Sequence, residues 1–150
     1  MPPDKRINSK KPGIYTFQIL DIYSLFPYYK ITMKITLAKL EEINSAFAGT
    51  PVKGESNLTV ALNLMILNPH IKAINDSRDS LIKQYSNGAK NLTNSDPNWE
   101  AFWADFTTIL KTEIEIPDLR PLKRTDLNFD KEQNQNHLMI LLYYKLLDGI

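Results

Sequence analysis

Residues 29–43 read YKITMKITLAKLEEI, with the tripeptide Lys-Ile-Thr on either side of Met33. The second copy is where regular structure becomes readable. Ile35 is β-branched and suits a strand, and Thr36 carries a hydroxyl that can accept from a backbone N–H one turn on, as a helix N-cap does. Beyond it Leu37, Leu40, Ile43 and Phe47 recur at helical spacing, and Gly49 and Pro51 close the run. The stretch predicts a short strand over 33–35, a cap, and an amphipathic helix.

Downstream the same signals continue. A loop to about Ser56 is followed by a helical pattern through Leu58, Ala61, Leu62 and Met65. Pro69 interrupts it, because proline lacks the donor and clashes with the preceding turn. Ile71, Ile74, Leu81, Ile82 and Tyr85 resume it, which predicts two helices or one kinked helix. Polar residues 86–96 form a loop, and Asp96-Pro97 reads as a helix start with the acid at the N-cap. Trp99, Phe102, Trp103, Phe106, Ile109 and Leu110 then make the clearest amphipathic stripe of the chain, whose spacing is that of a core face. Residues 113–116, Glu-Ile-Glu-Ile, alternate at period two and predict a second short strand, able to pair with the first as a small ribbon. Asp130 and Gln133 resemble a capping box ahead of a last helix.

That last helix carries LMILLYYKLL, residues 138–147, apolar at nine of ten positions. A helix apolar nearly all round cannot be satisfied by one contact face. It is either the centre of the fold or it meets another chain, most simply a second copy. Leu138, Tyr143, Tyr144 and Leu147 are the candidate interaction residues. The expected architecture is mainly α: a small bundle of four or five helices with a minimal two-stranded β element, in one domain over residues 33–150.

Upstream of Met33 the chain reads differently. Residues 1–13 combine Pro, Gly and charge with few apolar side chains, the composition of a disordered tail. Residues 14–32 are rich in aromatics, but Pro27 and scattered polar residues spoil both strand and helix periods. Residues 1–32 are expected to be an appendage or an upstream stretch brought in by a misassigned start codon, with the second favoured.

Chemistry-bearing patterns are sparse. The chain of 150 residues has a net charge of +1, so no overall field draws it to nucleic acid or anionic lipid. Cysteine is absent, which removes disulfides, thiol nucleophiles and thiolate metal sites. The two histidines, His70 and His137, stand in no metal-binding spacing. Glycine-rich phosphate loops and nucleophile elbows are missing, and Asp118, Asp126 and Asp130 match no calcium loop. No cofactor, metal or small-molecule substrate is therefore expected. The apolar run over residues 14–31 is too broken to span a bilayer. Arg120, Lys123 and Arg124, with Lys131 beyond, form a basic loop that offers phosphate contacts, but Asp118 and Asp126 flank it and no aromatic is interleaved.

Taken together, the pattern from Met33 on resembles a family of small phage and prophage proteins of unknown function from tailed phages of Gram-positive hosts. The shared features are the Met33-Lys-Ile opening, Arg78-Asp-Ser-Leu81-Ile82-Lys-Gln-Tyr85, the Phe102, Phe106, Leu110 helix running into Glu113-Ile-Glu115-Ile116, and Arg124-Thr-Asp126-Leu127 before a final apolar helix. The chain departs from that pattern at Pro69 and in residues 1–32. The resemblance implies a phage-related origin and carries over no catalytic residue. The expected function is non-enzymatic protein–protein interaction, as an accessory to virion assembly or a modulator of a host protein, in the host cytoplasm or the virion. The alternative is a nucleic-acid-associated regulator using Arg120, Lys123 and Arg124.

Overall fold

The computed structural model describes residues 32–148. The tail expected over residues 1–13 and the aromatic-rich stretch that follows it to residue 31 lie outside the described residues. In chain order the elements are β1 (Thr32–Thr36), α1 (Leu37–Gly49), α2 (Ser56–Tyr85), α3 (Trp99–Leu110), β2 (Glu113–Pro117), β3 (Leu122–Lys123), a 3₁₀ turn (Arg124–Asp126), α4 (Gln135–Tyr143) and β4 (Leu147–Asp148). This is a mainly α fold with a small antiparallel ribbon, as the sequence predicts.

The ribbon forms because alternation on both strands agrees. β1 and β2 pair antiparallel with Met33 opposite Ile116 and Ile35 opposite Ile114, which sets four apolar side chains on one face toward the core. Lys34 opposite Glu115 occupies the solvent face, where Thr32 Oγ1 also donates to Glu115 Oε1 at 2.7 Å. The strand thus includes Thr32, one residue before Met33. Thr36 ends it and caps α1, its hydroxyl accepting from the Lys39 N–H at 3.3 Å. Leu40, Ile43, Ala46 and Phe47 bury the inner stripe of α1 between α2 and α4. Gly49 is required by space: an added Cβ would stand 2.5 Å from His137 Cε1, where α4 crosses.

Pro69 does not break the second helix. α2 runs unbroken for 30 residues with Pro69 inside it. The missing N–H would have bonded the carbonyl of Met65, and both residues lie on the exposed side of the helix, where water can take that carbonyl. The inner side keeps Asn63, Leu67 and Ile74 buried. The two halves of α2 serve two cores. Its first half joins the main cluster of Leu40, Phe47, Ile116, Leu122 and Leu141, and its second packs Ile74 against Phe102 and Phe106 of α3. The α3 stripe is thus a core stripe, with Trp103 left half in water. The Tyr85 hydroxyl donates to Asp105 across this second contact. That bond, the proximity of the carboxylate and slight burial hold the phenol above its usual pKa. The protonated phenol is the donor, so this contribution holds at neutral pH and is lost as pH rises through the raised value.

Helix starts are chosen differently from the expectation. α3 begins at Trp99 after Asn98, and the Asp96 carboxylate turns back to accept from the Thr93 N–H at 2.6 Å. α4 is capped by Asn134, whose Oδ1 accepts from Asn136 and His137, and no Asp130–Gln133 capping box forms. Gln133 instead donates to the carbonyls of Pro51 and Asn128, both at 3.0 Å.

Between β2 and α4 the chain has little regular structure, yet it buries Leu119, Leu122 and Leu127. Its backbone groups find partners on α2. Asn63, only 1% exposed, donates to the Arg120 carbonyl at 2.8 Å and accepts from the Arg120 N–H at 3.0 Å. Asp126 accepts from the Ser56 N–H at 3.2 Å and hydroxyl at 2.8 Å, placing a carboxylate at the positive end of α2. The Ser56 hydroxyl in turn accepts from the Lys123 N–H at 3.3 Å.

α4 is shorter than the apolar run that contains it. Leu146 N–H bonds to the Leu141 carbonyl at 2.7 Å and Lys145 N–H to that of Leu142 at 3.1 Å, with Lys145 at φ +59°. These are the two bonds of a Schellman ending, with lysine where glycine is usual. Leu146 and Leu147 then turn back into the core, and Leu147 pairs with Leu122 in a short parallel ladder. A side chain in the left-handed region is strained by about 1 kcal/mol. Lys145→Gly should therefore raise the unfolding free energy in urea by about 0.5–1 kcal/mol, less than the full strain because glycine also frees the unfolded chain.

Candidate interaction surface

The Schellman turn decides which candidate residues face water. Leu147 is 6% exposed and belongs to the main core. Its expected place on an outer helical face is corrected, because the helix ends four residues before it and the chain reverses. Leu138 and Tyr144 are half-buried and pack on the same core. Tyr143 alone of the four stands out, 74% exposed. Met139 and Leu142, which the sequence did not single out, join it at 66% and 41%. The positions 139, 142 and 143 are i, i+3 and i+4, so their side chains form one contiguous apolar face on α4. That spacing was readable; what hid it was the equally apolar inner face.

Beside this face lies a groove of about 320 Å³ between α1 and α4, lined by Lys39, Glu42, Met139, Ile140, Tyr143 and Tyr144. Tyr143 and Tyr144 meet edge to face, ring centres 4.9 Å apart and planes at 83°. Burial raises the Tyr144 phenol pKa, and the nearby Glu42 carboxylate and Tyr143 add to the rise. The groove therefore offers apolar walls, a neutral phenol, and one charge of each sign at its rim.

The basic loop is only partly brought together. Lys123 Nζ makes an ion pair with Glu55 at 2.7 Å, and that bond chiefly raises its pKa, with Asp126 and Asp148 contributing. Both partners are largely exposed, so the pair is worth little to stability. A phosphate at Lys123 would nonetheless have to displace Glu55 and tolerate two further carboxylates. Arg124 is half-buried in the 3₁₀ turn, while Arg120 and Lys131 are exposed. His70 is half-buried on α2; His137 packs over Gly49 with its Nδ1 buried and unpaired. Among the described residues no group of three His, Asp or Glu side chains can hold a metal ion, and no helix is long and apolar enough to cross a membrane.

No family model, curated protein or solved structure matches the chain. The reversal at Lys145 makes opposite demands on neighbouring residues. Leu147→Glu should abolish cooperative folding, since a buried leucine contributes about 1.5–3 kcal/mol and an unpaired charge replaces it. Tyr143→Glu should change stability by no more than about 0.5 kcal/mol in the same urea titration.

Proposed function

We propose that this protein is a non-enzymatic interaction protein of phage or prophage origin that binds a protein partner through the outer face of α4. The observation that carries the reading is the exposed triplet Met139, Leu142 and Tyr143 beside an apolar groove. Scattered exposed apolar residues are ordinary, but a contiguous aromatic and methionine face on a rigid helix has the composition of an interface centre. The simplest partner is a second copy, because one self-complementary face closes a two-fold dimer. The resemblance to small phage proteins supports an accessory role in virion assembly or modulation of a host protein, in the host cytoplasm or the virion. The pairing of Lys123 with Glu55 gives the nucleic-acid reading no comparable support.

Sedimentation tests this. The wild type should sediment as a dimer at micromolar concentration, and Met139→Glu combined with Tyr143→Glu should give a folded monomer, weakening association at least about 30-fold. A wild-type monomer at all concentrations, or a double variant that stays dimeric, would overturn the α4 dimer.

A further inference from the structure

The rim of the groove beside α4 carries two charges of opposite sign. Lys39 and Glu42 stand one turn apart on α1, both exposed, and line the groove with Tyr143 and Tyr144. Among the described residues neither is held in an ion pair. They do not pair with each other, and lysine ahead of glutamate is the less favourable order within one helix. α1 and α4 lie side by side and antiparallel. Gly49 ends α1 beneath His137 at the start of α4, whereas Lys39 and Glu42 share the groove with the tyrosines at its end. The exposed face of Met139, Leu142 and Tyr143 adjoins this rim. A chain that covers the face therefore also meets the two charges.

Two two-fold arrangements bury the α4 face against a second copy. With the axis along α4, the paired helices run parallel, the two α1 helices sit on opposite flanks, and both rims stay in water. With the axis across α4, the helices run antiparallel and α1 of one protomer faces α1 of the other on the same flank. Reversal of direction then sets the order lysine, glutamate against glutamate, lysine, with the two positions about 4.5 Å apart along the helix. We propose that the second copy seats in the antiparallel arrangement, each protomer's Lys39 paired with its partner's Glu42. This rests on the reading of α4 as a dimer face and adds the register that apolar contact alone leaves open. A slip that sets Lys39 against Lys39, or Glu42 against Glu42, brings like charges together and is selected against. Two-fold symmetry makes the favourable pair twice. A rim of one lysine and one glutamate complements itself and favours no strongly acidic or basic partner.

Charge reversal reads the register directly, by sedimentation of the full chain at micromolar concentration. Lys39→Glu and Glu42→Lys should each weaken self-association about tenfold, since each sets like charges together at both symmetric contacts. Both positions are exposed, so helix content should be retained. Mixed in equal amounts, the two variants should recover wild-type association as a heterodimer, because each supplies the sign the other lacks. The doubly reversed variant, Lys39→Glu with Glu42→Lys, should self-associate like the wild type. Single variants that dimerise as tightly as the wild type overturn the proposal, and so does a mixture that stays as weak as its components. In either case a wild-type dimer that Met139→Glu with Tyr143→Glu dissolves leaves the α4 face standing, whereas a wild-type monomer overturns both. Should a reversal disturb folding, the neutral pair Lys39→Gln and Glu42→Gln gives a second reading. The wild-type dimer should loosen as salt rises, and the neutral variant should lose that dependence. Equal salt dependence in the two overturns the pairing.

Discussion

The side-chain amide of Asn63 holds the fold together in a way its size conceals. It satisfies both the N–H and the carbonyl of Arg120 from a site 1% exposed to solvent. A segment with little regular secondary structure can bury leucines only if its backbone groups find partners, because an orphaned buried group costs about 1–3 kcal/mol. Here the partners come from the first half of α2: Asn63 bonds the Arg120 backbone at one end of the segment, and at the other the Ser56 hydroxyl accepts from the Lys123 N–H while Ser56 donates to the Asp126 carboxylate. Fixed between them, Leu119, Leu122 and Leu127 complete the core. Leu122 donates its N–H to the Leu146 carbonyl at 2.8 Å, so the chain's final reversal rests on the same anchor.

Much of the fold was legible because local signals and packing agree. Thr36, the α1 stripe and the alternation over residues 113–116 gave the ribbon and first helix, and the pairing of the two strands followed. The α3 stripe was equally plain. Where the sequence misled, the deciding fact was tertiary. Pro69 is tolerated because the carbonyl it orphans faces water, and exposure is invisible in a single chain. Asp96, Asp130 and Gln133 have the right chemistry for caps, yet Asp96 and Gln133 bond other backbone groups and Asp130 donates its own N–H to Asn128, while Asn134 takes the start of α4. Asp126 does serve a helix end, but that of α2, 70 residues earlier.

The end of α4 shows why the candidate surface was only half readable. Helix stops are usually announced by glycine or proline, and here lysine takes the left-handed position. Without that signal the apolar run extends by eye to Leu147, and a core residue is counted as surface. Once the reversal is known, the outer face reduces to Met139, Leu142 and Tyr143. Among the described residues, Lys72, Tyr85, Lys123 and Tyr144 are each raised above their usual pKa, chiefly by a side-chain hydrogen bond for the first three and by burial for Tyr144. What the fold presents on α4 is an exposed apolar face beside a groove shared with α1.

The anchor can be tested at a single atom. Native-state hydrogen exchange of the Arg120 amide reports whether Asn63 holds it, since Arg120 lies in a loop whose side chain is exposed and no regular ladder protects it. The account predicts exchange within about tenfold of the Leu67 amide in the middle of α2, because both open only when the core does. Exchange at the rate of an unprotected loop amide, with α2 still protected, would show that the Asn63 bond does not anchor the segment.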